Sequence, residues 1–374
     1  MGKTKICLEC RDTLSIDNFR VYKTSTGTYI RSDCKTCERL KSHEYSNTFK
    51  GFFVTLLDSA KQHAAKRKTL GRISAGIFDL TYDQIVDLYN KQNGRCYYSN
   101  IPMSIERCSN WKCSLERLDD DNGYTIDNVA LVCLEFNNKL KWTREKLQEL
   151  IVKTIEQHDI TYLHEEIETA LAVKSIRSKN EDPVFKTING IKHYECADCR
   201  KNIPLNSARK KFIKRCVPCQ RVIKKRYRAT LKGHLLTLLS HAKSHTKERK
   251  ETKSRKTNTN IKDKFNLTYS DALDIFKSQH GLCYYSGIKM NYGSVFDNNW
   301  VASLERINAS KGYTKDNVCF ICYEFNTTDN TVVFKHNSSG TGNWSINKFL
   351  HFYKTTLATK KFNLDDYLDD PILL

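Results

Sequence analysis

No run of about 18 apolar residues occurs in the 374-residue sequence, so no membrane-spanning helix is expected. An apolar leader is also lacking. Met1-Gly2-Lys3-Thr4-Lys5 passes straight into cysteine and charge, which predicts no signal peptide and an intracellular chain, in the cytoplasm or nucleus of a host cell, rather than a secreted one. Apolar residues make up only 39%, yet 11% are aromatic, which argues against disorder and for small packed domains. Acid is short: 42 Asp and Glu stand against 62 Lys and Arg, for a formal charge of +20. Basic surface gains affinity for a phosphate backbone by releasing counterions, so a polyanion is the natural partner; solubility alone is the plain alternative. The 15 cysteines are odd in number, which argues against a complete disulfide framework. In a reducing compartment, cysteines paired at short spacing signal metal instead.

What the sequence does contain is a duplication. Cys96-Tyr97-Tyr98-Ser99, Ser114-Leu115-Glu116-Arg117-Leu118-Asp119, Gly123-Tyr124-Thr125, Asp127-Asn128-Val129 and Glu135-Phe136-Asn137 form the first copy. Cys283-Tyr284-Tyr285-Ser286, Ser303-Leu304-Glu305-Arg306-Ile307-Asn308, Gly312-Tyr313-Thr314, Asp316-Asn317-Val318 and Glu324-Phe325-Asn326 repeat it in order.

Upstream of each copy lie paired cysteines: Cys7 and Cys10 with Cys34 and Cys37, then Cys196 and Cys199 with Cys216 and Cys219. Two Cys-x-x-Cys pairs close a tetrahedral zinc site, and four protein ligands leave no open position, so a structural ion is expected in each. Buried free thiols are the alternative. In the first module Tyr22, Tyr29 and Ile30 suggest short strands about a Thr24–Thr28 turn. A basic helical segment follows each module. Phe49, Phe52, Phe53, Leu56, Leu57 and Ala60 in one, and Leu235, Leu238, Leu239 and Ala242 in the other, recur at helical spacing ahead of clustered Lys and Arg. His63 and His245 sit at matching positions and read as solvated or half-packed, with phosphate contacts as the alternative. The polar stretch from Glu251 to Lys264 reads as a loop. Thr81-x-x-Gln84 fits a capping box, a partner helix starts after Thr268, and Gly94 and Gly281 stop these two helices. Further helices are expected from Trp142 and over Tyr162–Val173. Ser175 to Pro183 reads as a linker, Thr327 to Asn343 as a polar insertion, and Asp365 to Asp370 as a loose acidic tail.

The repeated stretch resembles the HNH, or ββα-metal, endonucleases in the form found in phage and large viruses, over residues 96–137 and 283–326. The cysteine knuckles and basic helix resemble that family's usual preface. The resemblance implies a β-hairpin and helix clasping one divalent cation. Glu116 and Asn137 would ligate it in copy one, and Glu305 and Asn326 in copy two, where the family usually has Asp in place of Glu. Such oxygen donors suit Mg²⁺ or Mn²⁺. Asn128 and Asn317 would pin the hairpin loop. Arginine stands at the family's histidine position, as Arg117 and Arg306, and no histidine lies inside either copy. Arginine stays protonated, so it could clamp the scissile phosphate but not act as base. An internal ion pair is the structural alternative. Water activation would fall to Asp119 or to a hydroxide on the metal; Asn308 replaces Asp119 in copy two, which makes copy one the expected catalyst. Ser99 and Ser286 stand where a second cysteine would follow Cys96 and Cys283, so these copies are expected to pack without zinc. The Cys319-x-x-Cys322 pair reads as buried thiols, and Cys108 and Cys113 receive no role.

The expected architecture is α+β, a tandem duplication of a small four-cysteine zinc module, a basic helical segment and an HNH-like copy. Its parts are zinc module one (1–45), basic segment one (46–95), HNH-like copy one (96–158) and a helical linker (159–190). Zinc module two (191–228), basic segment two (229–282), HNH-like copy two (283–360) and an acidic tail (361–374) follow. The expected function is metal-dependent hydrolysis of DNA phosphodiesters, with the duplex held through its phosphate backbone and the two copies of a monomer acting as a pseudo-dimer. A nucleic-acid-binding protein without catalysis, or a zinc-dependent protein-interaction module, are the alternatives.

Overall fold

The computed structural model describes residues 3–25, 27–106, 109–137, 142–155, 159–172, 184–205, 215–256, 265–308, 311–326 and 344–358. It is an α+β protein built as two compact bodies. The first is centred on Met1–Leu147, the second on Gln148–Thr328 with Trp344–Tyr353. Among the described residues, no helix is long and apolar enough to cross a membrane.

The first body opens with two antiparallel pairs, β1 (Thr4–Ile6) with β2 (Thr13–Ser15) and β3 (Phe19–Thr24) with β4 (Gly27–Cys34). Gly27, at φ +144°, lets the chain reverse where Thr24 meets it. The core here is only Cys7, Phe19, Cys34 and Cys37, with Leu14 and Ile30 packed against it. So little apolar surface cannot offset the entropy of ordering the segment without a cross-link.

Helix α1 (Lys35–Asn47) and helix α2 (Phe49–Thr69) follow. Thr48 caps α2, its Oγ1 accepting from Gly51 N at 3.0 Å. Gly51 is required there, because a Cβ would lie 1.8 Å from the Tyr45 carbonyl oxygen. One face of α2 buries Phe52, Phe53, Ala60 and Ala64, and its last turn carries Lys66, Arg67 and Lys68. After β5 (Phe78–Asp79), α3 (Tyr82–Lys91) begins at a capping box made by Thr81 and Gln84. It is stopped by two successive left-handed residues, Asn93 and Gly94. Strand β6 (Cys113–Arg117) pairs antiparallel with β8 (Val129–Cys133), while β7 (Tyr124–Thr125) runs parallel to β5. All five residues of β8 are buried. Helix α4 (Arg144–Ile155) starts where Trp142 leads to expect it, and the boundary between the bodies falls inside it.

The second body adds α5 (Ile160–Ala172) and a three-stranded antiparallel sheet, β9 (Phe185–Ile188), β10 (Ile191–Glu195) and β11 (Asn202–Pro204). The plan of the first body then returns. Helix α6 (Val217–Arg228) leads to α7 (Leu231–Lys256), where Gly233 has the same need as Gly51, with a Cβ only 1.9 Å from the Tyr227 oxygen. Helix α8 (Tyr269–Ser278) begins at a capping box of Thr268 and Asp271, and β12 (Ala302–Arg306) pairs with β13 (Val318–Cys322) ahead of α9 (Ile346–Ala358).

One expectation is corrected. The polar stretch from Glu251 continues α7 as far as Lys256 rather than forming a loop at once. Lys, Glu and Arg propagate a nucleated helix well even without an apolar stripe. The expected linker at 175–183, the insertion at 327–343, the acidic tail and Cys108 lie outside the described residues.

Candidate metal centres and hairpin sites

Each cysteine module brings four thiols together. The sulfurs of Cys7, Cys10, Cys34 and Cys37, and those of Cys196, Cys199, Cys216 and Cys219, lie within 4.8 Å of one another. Cys199 Sγ and Cys216 Sγ are 3.7 Å apart. A tetrahedron with Zn–S bonds of ~2.3 Å has edges of ~3.8 Å, so both donor type and spacing fit a four-cysteine zinc site. Burial raises the Cys7 thiol, but hydrogen bonds from the backbone of Cys34, Cys10 and Glu9 outweigh it and bring it down to about 6. Cys196 falls likewise to about 6, burial being outweighed by bonds from the Cys199, Cys216 and Asp198 backbone. Burial first, then neighbouring thiols, push Cys37 up to about 12. Each cluster thus offers a thiolate ready to take the first bond to a metal.

The turn that carries these ligands has a fixed hydrogen-bond signature. In the first module Cys7 N donates to Asp12 O (3.0 Å), Arg11 N to Cys7 O (3.0 Å) and Cys34 N to Cys7 Sγ (3.2 Å). In the other, Cys196 N donates to Lys201 O (2.9 Å), Arg200 N to Cys196 O (2.8 Å) and Cys216 N to Cys196 Sγ (3.3 Å). Both copies of the duplicated hairpin repeat this signature. Cys96 N donates to Ile101 O (2.9 Å), Asn100 N to Cys96 O (2.9 Å) and Cys133 N to Cys96 Sγ (3.2 Å). Cys283 N donates to Ile288 O (2.8 Å), Gly287 N to Cys283 O (2.8 Å) and Cys322 N to Cys283 Sγ (3.3 Å). Arg11, Arg200, Asn100 and Gly287 all adopt positive φ. The described residues thus contain four knuckles of one design, and in two of them Ser99 with Phe136, and Ser286 with Phe325, occupy the other ligand places. Among the described residues, those two copies hold no cysteine cluster that could bind metal.

In copy one the hairpin sorts its side chains by alternation. Cys113, Leu115 and Arg117 are buried on one face of β6, and Ser114 and Glu116 lie half-buried on the other. Asn137 Nδ2 donates to Ser114 Oγ (2.8 Å) and Leu115 O (3.0 Å), which puts Asn137 on the Glu116 face. Asn326 Nδ2 repeats this with Ser303 Oγ (2.8 Å) and Leu304 O (3.1 Å), on the face of Glu305. Tyr98 and Tyr285 lie near enough to Glu116 and Glu305 to feel their charge. Burial raises each phenol, and the charges of Glu116 and Glu305 raise them further.

Arg117 points away from this face. Only 7% exposed, it donates to Asp120 O (2.7 Å), Asn122 O (2.6 Å) and Asp120 Oδ1 (3.0 Å) and lies over the Tyr124 ring at 5.6 Å. Arg306 donates to Lys311 O (3.0 Å) over Tyr313. Asp119 accepts from Asp121 N (2.9 Å) and Asn122 Nδ2 (2.7 Å), one bond per carboxylate oxygen. Asn128 closes the loop: its Oδ1 accepts from Asp119 N (2.9 Å) and its Nδ2 donates to Asp119 O (3.0 Å) and Gly123 O (2.8 Å). Asn317 makes the same three bonds to Asn308 N, Asn308 O and Gly312 O. The structure thus gathers Glu116 with Asn137, and gathers Arg117, Asp119 and Asn128 in the loop.

Other repeated residues escape a sequence reading. Buried Glu135 and Glu324 accept from the backbone N–H of Trp111 and Trp300 (3.0 and 2.9 Å), holding both tryptophans at positive φ. Gln92 and Gln279 bond both N–H and C=O of Leu131 and Phe320, clamping α3 to β8 and α8 to β13. Their signal is identity of type and place in the two copies. His63 and His245 are exposed, the latter 3.4 Å from Glu248. Buried His234 instead donates through Nε2 to Ala302 O (2.8 Å) and accepts from Gly293 N (3.2 Å) at Nδ1. No protein-family model matches the sequence, and no curated protein matches it.

Proposed function

We propose that this protein is a divalent-metal-dependent DNA endonuclease, with copy one the stronger catalyst. The observation that carries this reading is the shared face of Glu116 and Asn137 on the hairpin, repeated by Glu305 and Asn326. Asn137 has committed its amide nitrogen to Ser114 and Leu115, so it can offer a ligand only its carbonyl oxygen. Carboxylate and amide oxygens fit Mg²⁺ or Mn²⁺, and the ion when bound there supplies charge neutralisation at phosphate and acidifies water. Glu116 and Asn137 orient it. Arg117, Asp119 and Asn128 act as positioning residues that fix the loop beside β6. Asp119 adds a negative charge where copy two has neutral Asn308, which favours cation retention in copy one. The zinc modules and the basic ends of α2 and α7 would hold DNA through its phosphates.

Supercoiled plasmid incubated with the protein and Mg²⁺ or Mn²⁺ tests this directly. Glu116→Ala is expected to slow nicking by about 100-fold or more, and Glu305→Ala by less. A second reading, a binding protein without catalysis, is favoured by the commitment of Arg117 and Asp119 to their own loop. Protein that binds plasmid but never nicks it establishes that second reading over the first.

A further inference from the structure

The loop that joins Asn291 to Trp300 displays Phe296 with 94% of its surface exposed. The loop is firmly tied. Asn291 N bonds Trp300 O (2.9 Å) and Asn291 Nδ2 bonds Asn299 O (2.8 Å), closing its base. Ser294 O accepts from Asp297 N and Asn298 N (both 3.1 Å), and Ser294 Oγ accepts from Phe296 N (3.2 Å). Buried His234 takes the Gly293 N–H, and Asp297 pairs with Lys225 of α6 at 2.9 Å. These anchors hold a bare phenyl ring in water, where it contributes nothing to the fold. Copy one has no aromatic residue between Met103 and Trp111, so the feature belongs to copy two alone.

The helix to which Lys225 ties the loop is strongly cationic. Arg221, Lys224, Arg226 and Arg228 of α6 are all exposed. An exposed ring beside a basic helix is the pairing used to bind single strands, in which cations follow the phosphates and an aromatic face receives an unstacked base. We propose that Phe296 stacks on a nucleobase of a single-stranded segment whose phosphates lie along α6. This rests on the nucleic-acid reading above and names the form of substrate that copy two engages.

Fluorescence anisotropy of the full chain with a labelled single-stranded oligonucleotide provides the test. Phe296→Ala is expected to weaken binding roughly 5- to 100-fold without altering the salt dependence, because no phosphate contact is removed. Phe296→Leu, which keeps apolar bulk but has no π face, is expected to bind as weakly as the alanine variant. Phe296→Ala binding as tightly as wild type overturns the proposal, as does full rescue by leucine. Unchanged oligonucleotide binding with loss of a self-associated form assigns the ring to a protein contact and also overturns it. Failure of wild type to bind any nucleic acid removes the broader reading, an outcome distinct from a wild-type complex indifferent to Phe296.

Discussion

The corner at Cys7 and the corner at Cys96 share one backbone and differ in two side chains. Both turn through the same hydrogen bonds, and both receive an N–H on the first sulfur at 3.2 Å from the cysteine in the third ligand place, Cys34 or Cys133. In the module the remaining places hold Cys10 and Cys37; in the hairpin copy they hold Ser99 and Phe136. Their surroundings explain why. The module has a core of six residues, and its four thiols could hold a metal ion; a zinc ion there would contribute an apparent free energy of about 10–16 kcal/mol, as in other small domains. Around Phe136 lie Trp111, stacked at 6.3 Å, and Trp142, edge-on at 5.4 Å, with β8 wholly buried beside them. Phe325 has the same two neighbours in Trp300 and Trp344. The comparison teaches that a metal cross-link and an aromatic cluster are alternative solutions to one turn.

The largest effect should come from removing metal. A strong chelator is expected to release two zinc equivalents and to abolish amide protection over β1–β4 while leaving β6 and β8 protected. Persistent protection in β1–β4 after zinc has left would break the comparison. Next, Phe136→Ala should cost about 3–5 kcal/mol in urea denaturation of the first body. The paired change Ser99→Cys with Phe136→Cys is expected to take up a third zinc equivalent; a count that stays at two shows that the shared backbone is not enough to make a site.

The smallest effect separates the two copies. Burial lowers the His234 pKa, a trend that its bond to Ala302 O only partly opposes. Below the ordinary histidine value of about 6.5 the unfolded chain takes up a proton that the folded chain refuses. Stability contributed by His234 to the second body should therefore fall as pH drops below about 6.5 and be flat above it. The first body has Phe52 at the matching place, and His234→Phe should remove the slope. An unchanged slope in that variant would place the titration elsewhere.

Much of this was legible in the residues. Cysteine spacing located both clusters, Thr81-x-x-Gln84 announced its helix, and the duplication fixed the order of parts. The direction of Arg117 was open to the same reasoning, because strand alternation puts it opposite Glu116, but a motif read as a string hides which face each letter takes. The sequence offers Asp119 as a candidate for water activation, and its hydrogen bonds from Asp121 and Asn122 emerge only in the folded loop. The helical start of the polar stretch after Lys250 was masked by its lack of an apolar stripe. His234 has no motif at all, and its role emerges from the contacts made by strands and loops distant in sequence.

The ligand-less knuckles have an evolutionary consequence. A frame that keeps its bend through backbone bonds and one N–H donated to the retained first sulfur does not depend on its other ligand side chains. Cys96 and Cys133 remain seated, and Ser99 is buried in the next ligand place. Phenylalanine and cysteine codons differ by a single base. Lineages carrying such a corner could gain or shed a metal by a few point changes, with the surrounding chemistry of the hairpin undisturbed.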